Sequence, residues 1–122
     1  MISSDDMKNR AGAWIDAWNS RDIERILGLY ADYREMSSPH IVALGVDASG
    51  TVTGKDRLRR YWGAALARLP DLRFDPISVF TSPNSIMTRY RNERRQEVCE
   101  YLRFDANGLI VQGAAHHAAG NA

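Results

Sequence analysis

Cysteine is nearly absent: Cys99 stands alone among 122 residues, so no internal disulfide can form. No apolar run approaches the roughly 18 residues that a membrane-spanning helix needs, and no signal-peptide layout is visible. A soluble, cytoplasmic protein is the expectation. Charge of one sign is also missing. Sixteen Lys and Arg against fifteen Asp and Glu leave a formal net charge of +1, too little to steer the chain onto nucleic acid or anionic lipid. Histidine is scarce, and His116 and His117 are adjacent in an extended run, so their side chains leave opposite faces and cannot share one metal ion. A phosphate-binding loop, a dinucleotide fingerprint and a G-x-S-x-G elbow are all lacking. No metal or cofactor is expected.

What is present has the size of one domain, residues 1–122, with no repeat or linker. Met7, Ala11, Trp14, Ile15 and Trp18 form one apolar stripe of helical period, and Ser3 with Asp6 offers a cap ahead of it. After "NSRD", Ile23, Ile26, Leu27 and Tyr30 predict a second helix that Ser20 can cap and that stops near Ala31 or Asp32. Leu58, Tyr61, Trp62, Ala65, Leu66 and Leu69 predict a third, opened by a capping box at Thr53–Asp56 and closed before Pro70.

The remainder alternates with period two. "LRFDPISVF", "SIMTRYRN", "QEVCEYLRF" and "GLIVQGAAHH" read as antiparallel strands separated by turn residues, preceded by a short strand near Glu35–Ser38. Ile41–Leu44 reads as a further short strand and Asp47–Gly50 as a turn. Helices gathered early and strands late describe an α+β domain with three helices on one face of an antiparallel sheet.

One position breaks the pattern. If Val98, Leu102 and Phe104 share the buried face, alternation puts Glu100 on it as well. Pairing across "DANG" sets Phe104 opposite Leu109 and Glu100 opposite Gly113, which leaves open volume beside the carboxylate. Desolvation there would disfavour its ionised form. The competing reading is a bulge that turns Glu100 outward, or a tie to Arg89 or Arg103.

The order of pieces "AWNSRDIERILGLYAD", "SSP", "GKDRLRRYWGAAL", "LRFDPISVF" and "EYLRFDANGLIV" resembles the NTF2-like superfamily, and within it the SnoaL-like and ketosteroid-isomerase-like proteins. The resemblance implies a curved sheet wrapped round the helices as a cystatin-like cone, an apolar interior pocket, and a homodimer formed through the sheet. It carries over three positions. The tyrosine of the steroid isomerases falls on Trp14, their catalytic base on Ser38, and their protonated acid on Glu100. A serine hydroxyl is no base at neutral pH, so only Glu100 keeps its chemistry.

Trp14, Trp18, Tyr30, Tyr61, Trp62 and Tyr90 read as core residues whose N–H and O–H groups need partners. Apart from Tyr61, they are with Ser38, Gly113 and His117 the candidate pocket lining. His117 is expected four residues, at about 3.3 Å each, from the level of Glu100. Two functions follow: a small-molecule binding protein for a mostly apolar ligand with one polar group, or an isomerase, cyclase or dehydratase using Glu100 as acid and base. An adaptor of the transport-factor type is the third class.

Overall fold

A computed structural model describes residues 3–120. Helix α1 spans Ser4–Ser20, and the Ser3 hydroxyl caps it by accepting the Asp6 N–H at 3.1 Å. Its expected stripe, Met7, Ala11, Trp14, Ile15 and Trp18, is buried. The helix ends at Arg21, which adopts the left-handed conformation at φ 61°. The Arg21 guanidinium then donates to the carbonyls of Leu66 and Leu69, at the end of a later helix whose last carbonyls lack partners within the helix.

Helix α2, Ile23–Leu27, is capped by Asp22 and not by Ser20, whose hydroxyl accepts the Asp22 N–H instead. It stops earlier than its apolar spacing predicts because Tyr30 opens strand β1, Tyr30–Ser37. The segment 39–43 is helix α3, Pro39–Ala43, and not a strand: Pro39 supplies a preset first turn and the Ser38 hydroxyl accepts the His40 N–H. Helix α4, Lys55–Arg68, begins at Gly54 with φ 90° and without a side-chain cap, since Thr53 is held in strand β2, Thr51–Thr53.

Strands β3 (Asp75–Thr81), β4 (Ser85–Arg91), β5 (Glu97–Phe104) and β6 (Ile110–His117) complete one six-stranded sheet in the order β2-β1-β6-β5-β4-β3. Every neighbouring pair is antiparallel except β1 and β6, which run parallel. The fully antiparallel expectation is corrected here, because β1 meets the last strand after all the intervening chain has crossed over. Helix α1 packs on β3 and β4, α4 on β1 and β2, and α3 on β6.

The hairpin register also differs from expectation. Phe104 pairs with Ile110, past a bulge after Arg103, so Gly113 faces Leu102 and Glu100 faces Ala115. The turn explains the shift: the Asp105 carboxylate accepts the N–H groups of Asn107 and Leu109, drawing Leu109 into the loop. The space at Gly113 is taken by Met36 from β1, whose sulfur would lie 2.8 Å from an added Cβ.

Asn19 ties α1 to the approach to β3, donating to the Phe74 carbonyl at 2.9 Å and accepting the Phe74 N–H at 2.8 Å. Asn19→Ala strands both groups in a partly buried place and is expected to cost about 2–3 kcal/mol in urea unfolding at unchanged m. A loss below about 0.5 kcal/mol would show that the two bonds are dispensable.

Candidate functional site

Residues of β4, β5 and β6 that face the helices form rows across the sheet. Ile86, Leu102, Gly113 and Met36 make one apolar row. The next row is Val79, Thr88, Glu100 and Ala115. Glu100 therefore has Val98 and Leu102 beside it on its own strand, both buried, and is itself 2% exposed. The bulge lies beyond Phe104's side of the hairpin and leaves Glu100 on the inner face.

Its two oxygens differ. Oε1 accepts a hydrogen bond from the Tyr90 hydroxyl at 3.2 Å, whereas Oε2 has no partner among the described residues. Burial pushes the Glu100 carboxyl up to about 8, against a smaller downward pull from the Tyr90 hydrogen bond. At neutral pH the group is a carboxylic acid with a donor to offer. Tyr90, Tyr30 and Tyr61 are each raised above the ordinary phenol value, chiefly by burial, and each also feels the charge of Glu100. One neutral phenol thus contacts the acid, and two more lie within its electrostatic reach.

The rings extend this arrangement. The Trp14 indole N–H donates to the Tyr30 hydroxyl at 3.0 Å, and Tyr30 meets Trp62 at 5.0 Å between ring centres. Phe74 stacks on Tyr90 at 4.2 Å and on Trp14 at 5.6 Å. Trp18 meets Trp14 and Trp62 edge-on, and its own N–H has no partner among the described residues. Of the residues singled out in sequence, Trp14, Tyr30, Tyr90 and Glu100 come together directly, and Trp18 and Trp62 form the next layer.

Three do not join them as expected. Gly113 lies one row away, filled over by Met36. Ser38 is buried and engaged in capping α3, with its hydroxyl also close to that of Tyr61. His117 pairs with Val98, two positions from the partner of Glu100 and not four, and its ring meets His40 at 4.5 Å. Burial and then His40 push its imidazole below the ordinary value. Phe74 and Thr88 enter from outside the sequence-derived set, and Tyr61 comes from its core aromatics although it was not named as pocket lining. Thr88 had an alternation signal of the same kind as Glu100, and Tyr61 lies in the stripe of α4. Phe74 belongs to the alternating run "LRFDPISVF" expected as a strand, but β3 begins only at Asp75, so Phe74 lies on its approach.

Two clefts adjoin this interior, and Glu100 lines neither. One, of about 560 Å³, runs between α1 and β3 and reaches Thr88, the cross-strand neighbour of Glu100. The other, of about 320 Å³, follows α4 past Arg57, Arg60, Arg68 and Tyr61. Among the described residues no group of three or more His, Cys, Asp or Glu could hold a metal ion, and no helix is long and apolar enough to cross a membrane.

A carboxyl whose folded pKa of about 8 exceeds its unfolded value of 4.5 keeps its proton in the fold and releases it on unfolding anywhere between them. Its contribution is complete below 4.5 and falls as pH rises toward 8, with a slope of about 1.4 kcal/mol per pH unit. Glu100→Gln removes that slope. Unfolding free energies of the two proteins across this window are expected to diverge in favour of the variant as pH rises. Parallel curves would contradict the assignment.

The pattern of the SnoaL-like domain matches residues 11–113 of the chain. Among solved structures, a SnoaL-like protein of unknown function from Burkholderia thailandensis is 36% identical, with 97% of this chain and 98% of that chain covered and a TM-score of 0.91. A protein of unknown function with a cystatin-like fold from Methylobium petroleophilum is 16% identical, over 99% of this chain and 81% of that one, at a TM-score of 0.76. TerC, crystallised with polyporic acid, is 15% identical over 91% and 90%, at 0.75. No curated protein matches. Helices laid against a mostly antiparallel sheet, the match to most of the sequence and the likeness over nearly the full length of the Burkholderia protein together make this chain a member of the SnoaL-like family.

Proposed function

We propose that the chain is a small-molecule pocket protein that takes a mostly apolar ligand bearing one polar group. The observation that carries this reading is the free Oε2 of Glu100, buried and without a partner among the described residues, on a carboxyl whose pKa burial pushes up to about 8. An unpaired buried donor costs free energy that a ligand carbonyl or hydroxyl would recover. The aromatic walls around it suit a flat hydrocarbon frame. That TerC, of the same fold, was crystallised with polyporic acid is consistent with such a ligand.

A second reading is favoured by the pairing of Glu100 with Tyr90. The ionised fraction of a carboxyl with a pKa near 8 is a stronger base than an ordinary carboxylate and can take a proton from carbon beside a carbonyl, the adjacent phenol donating to the oxyanion and the new carboxylic acid returning the proton to carbon. This would be isomerase or cyclase chemistry.

We also propose a homodimer through the outer sheet face, where Phe80, Met87, Tyr101 and Ala114 form a cross-strand row and Phe80 is 59% exposed. A cytoplasmic setting suits the free thiol of Cys99.

Calorimetric titration with 2-naphthol and 2-methylnaphthalene tests the first reading. Glu100→Leu is expected to weaken the naphthol about tenfold and to leave the hydrocarbon unchanged. Equal effects on both would refute a polar anchor at Glu100. Deuterium uptake at the α-carbons of 2-tetralone in heavy water tests the second: turnover requires uptake that Glu100→Gln slows by at least about a hundredfold while tetralone still binds.

A further inference from the structure

Arg34 has no role in the arrangement above, yet it is the least expected side chain in the fold. It shares with Met36 and Ser38 the alternation of β1 that faces the helices, and it is 0% exposed. Its Nε, Nη1 and Nη2 all lack a hydrogen-bond partner among the described residues.

Glu100 escapes the same predicament by keeping its proton. Arginine cannot, because its guanidinium stays charged under any condition the fold survives. A buried charge is retained when something of opposite sign answers it. The groups within Coulombic reach are Asp32 on its own strand, the Tyr30 phenol, and Arg59 across on α4. Asp32 is exposed and makes no bond to Arg34. Arg59 is another cation, tied to Glu24 of α2 and to Asp56 at 3.0 and 3.3 Å. Arg34 therefore lies one layer below the surface at the seam of α2 and α4, facing a cation and bonded to no anion.

The neighbouring phenol adds a second open valence. Tyr30 accepts the Trp14 N–H, and no acceptor for its own hydroxyl proton is present among the described residues. A planar fork of N–H donors, with the Tyr30 phenol within its Coulombic reach, matches a group with two coplanar oxygens. The exposed Arg59–Glu24 pair above contributes little to stability and so opens at little cost.

We propose that Arg34 is an anion-recognition group that holds a carboxylate in its guanidinium fork, with the Tyr30 hydroxyl as a further donor. The carboxylate belongs either to a free small acid or to the acidic end of the ligand proposed for the Glu100 pocket, and only the latter case rests on that pocket reading.

Thermal unfolding in sodium acetate against sodium chloride at matched ionic strength reads the free acid. Calorimetry with 2-naphthoate and with neutral 2-naphthol reads the larger ligand. Acetate, naphthoate or both are expected to bind the wild type saturably. Arg34→Met is expected to melt at or above the wild type in chloride, to lose the response to carboxylates and to keep any affinity for naphthol. Arg34→Lys retains charge without the fork and is expected to bind carboxylates at least about tenfold more weakly; it carries the test if the methionine variant does not fold. Naphthoate binding that needs both Arg34 and Glu100 identifies the acidic end of a pocket ligand, and an acetate response that needs Arg34 alone identifies a free acid. A carboxylate response that survives in Arg34→Met, or none in the wild type, overturns the inference while leaving naphthol binding to judge the pocket. Failure of naphthol with an Arg34-dependent acetate response overturns the pocket reading and not this one.

Discussion

The carboxyl of Glu100 sits where the sheet would otherwise carry an aliphatic residue, and much of the interior is arranged around keeping it there uncharged. Val98, Leu102, Thr88 and Ala115 enclose it on the sheet, and Tyr90 satisfies one oxygen. Tyr30 and Tyr61 stand near enough to sense its charge. An ionised acid in that place would forfeit its hydration for a single phenol hydrogen bond. Retaining the proton is the cheaper state, and it turns a structural oddity into a donor pointed at the interior.

The aromatic cluster supplies the surroundings that make this possible. Trp14, Trp18, Tyr30, Trp62, Phe74 and Tyr90 touch in sequence from α1 across to β4. Their rings exclude water, while the hydroxyl of Tyr30 accepts the indole N–H of Trp14. Polar edges of large rings thus become fixed donors inside an apolar wall, which is the composition that small-molecule pockets require. Arg34 and Glu100 both lie within Coulombic reach of Tyr30: one buried group is relieved by a proton, the other has no such outlet.

Much of this could be read from the chain, and the failures have definite causes. The helical stripes of α1 and α4 and the alternation of β4, β5 and β6 were plain because one face of each element is buried. Alternation alone placed Glu100 inward, since a strand's parity survives a slip of two residues. The partner of Glu100 was misread because the slip at Arg103 and Phe104 comes from Asp105 gathering the N–H of Leu109, a side-chain detail that spacing does not encode. The parallel pairing of β1 with β6 is a long-range choice with no local signature. Tyr30 was drawn into a helix because its spacing from Ile26 and Leu27 fits one, although the chain had already turned at Gly28. Arg34 falls between the expected end of the second helix near Ala31 or Asp32 and the expected strand at Glu35–Ser38, so alternation assigns it no face unless β1 starts, as it does, at Tyr30.

The protonation state of Glu100 underlies both readings proposed for it, a polar anchor for a ligand and an acid–base group. The direct test is a carbon-13 NMR titration of the Glu100 side-chain carboxyl in the folded protein, assigned by its loss in Glu100→Gln. The account predicts a midpoint near 8, with the carboxyl neutral at pH 6. A midpoint near 4.5, the value of a solvated glutamate, would contradict it.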